Sequence, residues 1–457
     1  MLERVFSFAS RAAVRYGVIR DAARAGLDFA KKYPVAEIAK KAKLGKEAVY
    51  PFDELDVYGK ALLGAEVYEP GYPRFLTLDR LVLLPPAFTP RRLEKMSELL
   101  REPLYIDVDT EAVVGGFKLR LPVTVGSMGS TDVANRVGVE LSVGAARAGI
   151  AMGIGENVAT MRGYDRRRDP TQPSFKERLM AYLENVEDGY GGVVIQQSIE
   201  DAFDELWNHV YSDVDVEPYL EEGLIGFEIK VGQGAKPGLG GEVKVPRELA
   251  LRLKDKYYLP EDPEKVVKDM YERHSAPGTF TESILASMIR LLKNNYPKAR
   301  VWIKSGPYRD LDRLIDVASG ADAVIVDGKE GGTGMSPIVA LKDLGLPTLA
   351  CLKRIMEAKR RGVGASLILS GRLYNGGHVV KALALGADAV SMGRPFIVAV
   401  QAAGAEGVER FVEALKVEVQ MLTSALDKYS VSELSPEDVA ALDREIAESF
   451  GIRYVYG

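Results

Sequence analysis

The sequence predicts an α/β fold of the TIM (β/α)8 barrel type, with an N-terminal helical and irregular extension and C-terminal helices. Eight short apolar runs recur along the chain, each followed by Gly or polar residues and then by a helical pattern. Continuous apolarity, rather than strict alternation, is typical of strands that are buried on both faces of a parallel sheet. A closed barrel is favoured over an open doubly wound sheet, since no unit carries the G-x-G-x-x-G turn of dinucleotide-binding sheets.

The eight predicted strands alternate with helical segments. They cover 121–127, 150–155, 192–197, 224–230, 300–305, 322–328, 366–371 and 388–393. The barrel is assigned to 101–403, after an extension at 1–100 and before a helical segment at 404–457. Within that last segment a helix is predicted over 435–450, with Ser435 as its N-cap.

Two connections in the predicted barrel are much longer than the others. One, 156–191, follows the second strand, and the other, 231–299, follows the fourth strand and contains a further helical pattern. Both leave from the carboxyl ends of strands, which carry the active site in this fold. Long connections on that face are usually functional, so we expect both to contribute to the active site.

Composition indicates a soluble globular protein and gives no sign of a nucleic-acid or membrane partner. Of the 457 residues 47% are apolar and 27% charged, the net charge is −5, and no apolar run is long enough to span a bilayer. The single cysteine, Cys351, makes no internal disulfide, and the three scattered histidines show no metal-binding spacing. We therefore expect a cytoplasmic homo-oligomer without a metal site. A basic amphipathic helix is predicted at 1–26 and is expected to pack on its own chain or on a mate, with binding to a membrane surface as the alternative.

The ends of the last two predicted strands indicate a phosphate site. Gly371 and Arg372 end the seventh strand, and Gly393 and Arg394 end the eighth. The loops after these two strands form a phosphate site in many TIM barrels, beside a helix N-terminus. Glycine lets the backbone approach the phosphate, and arginine offers a fork of donors to its oxygens. Plain αβ turns are the alternative interpretation.

Small and polar residues at the ends of other strands indicate a place for a flat, redox-active ring. They are Gly126, Ser127 and Met128 on the first strand, Gln196 on the third, Lys230 on the fourth and Lys304 on the fifth. Small residues let a ring lie against the backbone, and a cation beside a flavin stabilises the reduced, anionic ring. Lys304 is the candidate for that cation, and a structural ion pair with an acid such as Asp327 is the alternative.

Three stretches of the sequence resemble the FMN-binding synthase domain of glutamate synthase. They are "EIKVGQGAKPGLGG", "DGKEGGTGMSP" and the first-strand "GSMGS", and the resemblance covers roughly 100–400. It implies a TIM barrel that carries FMN and that reductively aminates 2-oxoglutarate, or a related dicarboxylate, to glutamate through 2-iminoglutarate. It also implies that the glycines after the fourth strand bring backbone amides close to the flavin and to an anionic substrate.

The resemblance assigns roles to individual residues. Beside the flavin it places Gln196, Lys230, Lys304, Gly331, Gly332 and Thr333, and beside the substrate it places Glu156, Gln233 and Lys236. Lys304, Lys236 and Glu156 are the implied catalytic residues, and Lys236 is expected to bind a carboxylate of the substrate.

The chain departs from the family pattern in its cysteines. None follows the last strands, where the family binds an iron–sulfur cluster, and the family's N-terminal catalytic cysteine and amidotransferase domain have no counterpart. Ammonia or an amine is therefore expected from solution or from a separate amidotransferase subunit, and electrons are expected from a donor protein.

Four alternative functions remain open. A similar subunit of N-methylglutamate synthase would use methylamine. An FMN-dependent 2-hydroxy-acid oxidase would need a histidine base after the sixth strand, where the chain has Lys329 and Glu330. An isomerase similar to the FMN-dependent isopentenyl diphosphate isomerase would need an anion site, for which the arginine-rich stretch 162–168 is the candidate, with a solvated loop as the alternative. The fourth is a non-catalytic subunit that relays electrons through its flavin.

Overall fold

The computed structural model describes residues 34–49, 77–168, 170–234, 237–240, 242–331, 340 and 343–457. The basic helix expected at 1–26 lies outside these residues. The described residues form a closed barrel of eight parallel strands, a three-stranded sheet, two two-stranded sheets and surrounding helices. The fold class predicted from the sequence is therefore confirmed.

Strands and helices are numbered here in chain order. The strands are β1 (Leu81–Leu83), β2 (Ala112–Val114), β3 (Phe117–Leu119), β4 (Val123–Met128), β5 (Ala151–Ile154), β6 (Val193–Gln197), β7 (Ile225–Lys230), β8 (Glu242–Pro246), β9 (Met270–His274), β10 (Arg300–Ser305), β11 (Ala323–Asp327), β12 (Ser366–Ser370), β13 (Ala389–Met392), β14 (Val439–Ala441) and β15 (Arg453–Tyr454). The helices are α1 (Val35–Leu44), α2 (Pro90–Leu99), α3 (Asp132–Arg147), α4 (Val158–Arg162), α5 (Phe175–Leu183), α6 (Ile199–Phe203), α7 (Leu206–Ser212), α8 (Glu217–Glu221), α9 (Arg247–Leu253), α10 (Glu282–Asn295), α11 (Leu311–Val317), α12 (Thr348–Arg360), α13 (Gly376–Ala384), α14 (Arg394–Ala425) and α15 (Arg444–Phe450).

The barrel consists of β4–β7 and β10–β13, in the closed order β10-β11-β12-β13-β4-β5-β6-β7. All eight strands correspond to predicted ones, with ends that differ by at most two residues. Because each strand is parallel to its neighbours, all the carboxyl ends open on one face. The two long connections, after β5 and after β7, leave from that face as predicted, and the second contains α10.

The amino-terminal end of the barrel is filled by side chains and by the hairpin β2–β3. Val114 and Phe117 of the hairpin are buried in one cluster with the inward-facing Val194 and Trp302. The indole N–H of Trp302 donates to the carbonyl of Gly115 at the hairpin turn, with an N–O distance of 3.0 Å. A larger apolar core lies between the outer faces of the strands and the helices. The interior is thus a packed core with an apolar floor, and polar residues can collect only at its other end.

Helix α14 follows directly after the last barrel strand. Its backbone is broken at Ala403 and Gly404, where Gly404 takes φ 65° and ψ −153°, a conformation open almost only to glycine. The helix packs against α1 of the extension and against α3. Among the described residues, no helix is long and apolar enough to cross a membrane.

The helix predicted over 435–450 is wrong at Val439–Ala441. These residues form β14, which lies antiparallel to β1 and parallel to β15. Ser435 therefore precedes only a 3-10 turn, and its backbone N–H donates to the carboxylate of Asp438 at 2.8 Å. The three strand residues are completely buried, and this tertiary pairing outweighs their local helical preference. A helix does follow, as α15, once the chain has left the sheet.

Candidate functional site

One side of the carboxyl face is formed by the ends of β12 and β13. Gly371 and Arg372 follow β12 with φ of 132° and 49°, in the region that favours glycine. A Cβ on Gly371 would collide with Thr348, whereas a Cβ on Gly393 would meet no atom within 4 Å. Gly393 thus faces open space at the N-cap of α14, where Pro395 has no N–H and the N–H groups of Phe396 and Ile397 already donate to the carbonyl of Gly393. In this cradle the side chains of Arg372 and Arg394 are therefore the main candidate donors to a phosphate group.

Arg394 connects the cradle with the turn after β11. Its Nη2 donates to the backbone carbonyl of Glu330 at 2.5 Å, which ties it to the 3-10 turn that ends at Gly331. The carboxylate of Glu330 accepts hydrogen bonds from the backbone N–H and the hydroxyl of Thr348, at 2.7 and 2.6 Å. Burial raises the pKa of Glu330, against the effect of these two bonds. The structure therefore brings the predicted residues Arg394 and Gly331 to one place.

A layer of polar side chains lies above the apolar floor of the barrel. Its members are Gln196 of β6, Glu228 and Lys230 of β7, Lys304 of β10 and Asp327 of β11. Gln196 and Lys304 stand two residues beyond the floor residues Val194 and Trp302, so they share the same interior. Gln196 pairs in register with Glu228, and Lys304 pairs with Lys230. The strand ends that sequence reasoning selected on β6, β7 and β10 are therefore neighbours.

Glu228 is the member of this layer that sequence reasoning missed. Its side chain is completely buried, and its Oε1 accepts hydrogen bonds from Ser127 Oγ at 2.8 Å and from Gln196 Nε2 at 2.5 Å. Burial raises the pKa of Glu228, while the charge of Lys304, the two hydrogen bonds and Lys230 act in the opposite direction. A signal was present in the sequence, since an acid in an apolar strand two positions before Lys230 must point the same way as that lysine.

Lys304 does not form the ion pair with Asp327 that was its alternative role. Asp327 instead accepts the backbone N–H of Gly234 on its Oδ2, at 2.8 Å. Among the described residues Lys304 makes no ion pair, although its charge acts on Glu228. Lys304 is therefore a cation at the centre of the carboxyl face whose hydrogen-bonding capacity is available to a ligand.

Lys230 forms an ion pair with Glu156, which follows β5. The backbone N–H of Glu156 donates to Gln196 Oε1 at 3.3 Å, so Gln196 links this pair to Glu228. Both members of the pair line a cavity of about 180 Å³, together with the predicted Gln233. The predicted Lys236, Gly332 and Thr333 lie outside the described residues.

The first-strand candidates are in contact with neighbouring strands. Ser127 bonds to Glu228, and the carbonyl of Met128 accepts the N–H of Gly155 at 2.9 Å. A Cβ on Gly126 would lie 3.4 Å from Ser391 Oγ, which is ordinary van der Waals contact. Packing inside the protein therefore does not require glycine at 126, and its small size leaves room on the interior side.

Packing within the protein accounts for two of the glycines after β7. A Cβ on Gly232 would collide with the phenol of Tyr308, and a Cβ on Gly240 would collide with the backbone of Ser275. The Tyr308 hydroxyl also donates to the carbonyl of Val231 at 2.8 Å. These glycines allow the loop to pack closely on its own protein, whether or not it also contacts a ligand.

Two arginines of the stretch 162–168 bond to the helices that flank it, α4 and α5. Arg167 Nε donates to Glu177 Oε2 at 2.8 Å, and Arg168 Nη1 donates to the carbonyl of Thr160 at 2.6 Å. Both guanidinium groups thereby fix the course of the connection between α4 and α5. These bonds favour a loop fixed to its own protein over an anion site for an isomerase.

Most of the chain is similar in sequence to known proteins. A family model described as the conserved region in glutamate synthase matches residues 91–407. A glutamate synthase large subunit-like protein of Rhizobium meliloti is 32% identical over 179 residues, 38% of this chain and 39% of that protein. An archaeal glutamate synthase (NADPH) of Archaeoglobus fulgidus is 36% identical over 191 residues, 40% of this chain and 35% of that protein. The chain thus spans less than two fifths of the length of either relative.

A solved structure supports the architecture. The flavin-binding domain of baker's yeast flavocytochrome b2 superposes with a TM-score of 0.51, over 81% of this chain and 77% of that one. The sequence identity is 18%, so this likeness shows the fold alone.

Proposed function

The chain belongs to the glutamate synthase family, and from this premise we propose that it is an FMN-dependent oxidoreductase that aminates 2-oxoglutarate to glutamate through 2-iminoglutarate. The observation that carries the proposal is the position of Lys304 in a polar layer under the carboxyl face, the same face on which the open space at Gly393 lies. A site of this kind fits a cofactor that has a redox-active ring and an anionic tail.

The residues of the cradle would hold the phosphate of FMN. Gly393 offers open space at the N-terminus of α14, and Gly371, Arg372 and Arg394 follow the ends of β12 and β13. Gln196 and Lys304 would hold the ring, with Gly126 leaving room beside it. When bound, FMN supplies two-electron chemistry, and a lysine at the ring stabilises its reduced form.

The cavity beside Lys230 would hold the dicarboxylate. Lys230 is the one lysine among the described residues that line this cavity, and it forms an ion pair with Glu156. A carboxylate of the substrate would replace Glu156 as the partner of the Lys230 ammonium group. Gln233 adds an amide that can bond to the same carboxylate. Glu156 would then exchange a proton with the amine, as a positioned carboxylate can.

Ammonia or another amine would come from solution or from a separate amidotransferase subunit, and electrons from a donor protein. We also propose that the protein works in the cytoplasm as a homo-oligomer.

The test begins with the purified protein and its visible spectrum. A yellow protein that keeps FMN through gel filtration is expected, and a colourless protein that refuses added FMN would contradict the cofactor assignment. Photoreduced protein is then mixed anaerobically with 2-oxoglutarate and ammonia, with each reagent alone as a control. Reoxidation of the flavin only when both are present is expected, and an unchanged rate would reject the synthase reaction.

The same experiment separates the alternatives. Methylamine in place of ammonia tests the N-methylglutamate reaction, and lactate with oxidised protein tests 2-hydroxy-acid oxidation. The latter is disfavoured because the turn after β11 carries Lys329 and Glu330 in place of a histidine base. A flavin that exchanges electrons with a reductant but responds to none of these substrates would leave two alternatives, the electron-relay subunit and the isomerase.

A further inference from the structure

Glu228 is a buried carboxyl group that the proposed function does not use. Its Oε1 is held by Ser127 and Gln196, but its Oε2 is buried and has no hydrogen-bond partner among the described residues. A buried oxygen without a donor is costly while the carboxylate is charged, and the cost falls once the oxygen carries a proton. Burial and the missing donor at Oε2 therefore both favour the protonated form, while the nearby positive charges oppose it, so a change in those charges would shift the balance.

We propose that Glu228 takes up a proton on Oε2 when a flavin in this site is reduced, so that reduction of the cofactor and protonation of the protein are coupled. This inference rests on the FMN binding proposed above and extends it to the path of protons. It assigns to Glu228 a role in setting the reduction potential of the flavin.

The charges that face Glu228 explain why reduction would trigger this step. Lys304 on the neighbouring strand and Lys230 on the same strand favour the ionised carboxylate. Lys230 already forms an ion pair with Glu156. Asp327 bonds to the amide of Gly234 and does not pair with Lys304, so the charge of Lys304 is not neutralised by an ion pair among the described residues. A negative charge arriving on a flavin beside Lys304 would compete for that cation, and Glu228 would lose its main support for ionisation.

Reduction would take two electrons from the donor protein and two protons from solvent, of which one would go to the flavin and one would form an O–H bond at Glu228 Oε2. On reoxidation, protonated 2-iminoglutarate would take both electrons and the flavin's proton together as a hydride, and Glu228 would return its proton to solvent. In the absence of Glu228 only one proton accompanies the two electrons.

Potentiometry of the FMN-loaded protein over about pH 6 to 9 tests the proposal, with Glu228→Gln as the variant and Glu409→Gln on α14 as the control. In unmodified protein and control, the midpoint potential should fall by about 59 mV per pH unit over part of this range, which corresponds to two protons per two electrons. In Glu228→Gln the slope should stay near 30 mV per pH unit. Equal slopes in all three proteins would overturn the role of Glu228 and leave FMN binding intact, whereas a protein without flavin would overturn both.

A second measurement covers the case in which Glu228→Gln does not fold. Reduced-minus-oxidised infrared spectra of the unmodified protein should show the carbonyl band of a newly protonated carboxylic acid. Ser127→Ala removes a donor to the ionised form, so the band should appear at higher pH than in the unmodified protein. A spectrum without a carboxylic acid band at any pH between about 6 and 9 would overturn the proposal.

Discussion

The ammonium group of Lys230 and the carboxylate of Glu156 form an ion pair between residues 74 positions apart, across the mouth of the barrel. The pair is largely shielded from solvent, with side-chain exposures of 13% for Lys230 and 27% for Glu156. Such a pair holds the lysine in position, and an anionic ligand must displace the carboxylate to bind the ammonium group.

Glu156→Gln separates these two effects. The variant removes the competitor for Lys230, so the Kd of 2-oxoglutarate should stay equal or become smaller. It also removes a group that exchanges protons, so kcat for amination should fall by about a hundredfold. Isothermal titration and stopped-flow reoxidation measure the two quantities, with the exposed Glu187→Gln at the opposite end of the barrel as the control. A weaker substrate affinity with unchanged kcat would assign Glu156 to substrate binding alone.

Lys304→Met should lower the reduction potential of the bound flavin. Removal of the cation takes away stabilisation of the reduced, anionic ring worth on the order of 2 kcal/mol. Spectroelectrochemical titration of the loaded protein measures the effect, and Lys298→Met, an exposed lysine that pairs with Glu221, is the control. A potential equal to that of the control would refute the role of Lys304.

Gly393→Ala should weaken FMN binding without harming the fold. A Cβ at this position meets no protein atom within 4 Å, and it would fill space that the phosphate needs. We expect a loss of about tenfold in affinity, or roughly 1.4 kcal/mol, and an unchanged Tm of the apoprotein. Gly364→Ala is a matched control, since its Cβ also meets no atom within 4 Å and it precedes β12 at the other end of the barrel. Equal FMN affinity in the two variants would remove Gly393 from the site.

Asp79 links the extension to the barrel and makes stability depend on pH. Burial alone would raise its pKa, but the hydrogen bond and charge of His378, at 2.9 Å, and the hydroxyl of Thr77 hold the pKa below its ordinary value of 3.8. The contribution is therefore complete above pH 3.8 and is lost as the pH falls below that value.

Asp79→Asn should accordingly lose about 2 kcal/mol in the free energy of unfolding at pH 7, and the difference from the unmodified protein should shrink below pH 4. Urea titrations at several pH values measure it. Asp316→Asn, which breaks a more exposed pair with Arg361, should cost less than about 0.5 kcal/mol. A constant difference down to pH 3 would show that Asp79 acts through packing and not through its charge.

The barrel could be predicted from the sequence because its strands are mostly apolar and each is followed by a helical pattern. Val439–Ala441 could not, because only the distant partner β1 makes those residues a strand. In the site, Gln196, Lys230 and Lys304 could be selected because each stands at the end of a predicted strand, and the three strands are neighbours in the barrel. The contact between Gly232 and Tyr308 could not be predicted, since it joins two loops that are distant in the sequence.

The pairing of Leu81–Leu83 with Val439–Ala441 also bears on how the chain folds as it is synthesised. The ribosome must deliver more than three hundred further residues before β1 has its partner, and Trp302 must emerge before the hairpin at Gly115 is fixed. Loop closure over such separations is slow compared with helix formation. The nascent chain therefore carries an unpaired strand edge through most of translation, and edges of this kind make partly folded chains prone to aggregation.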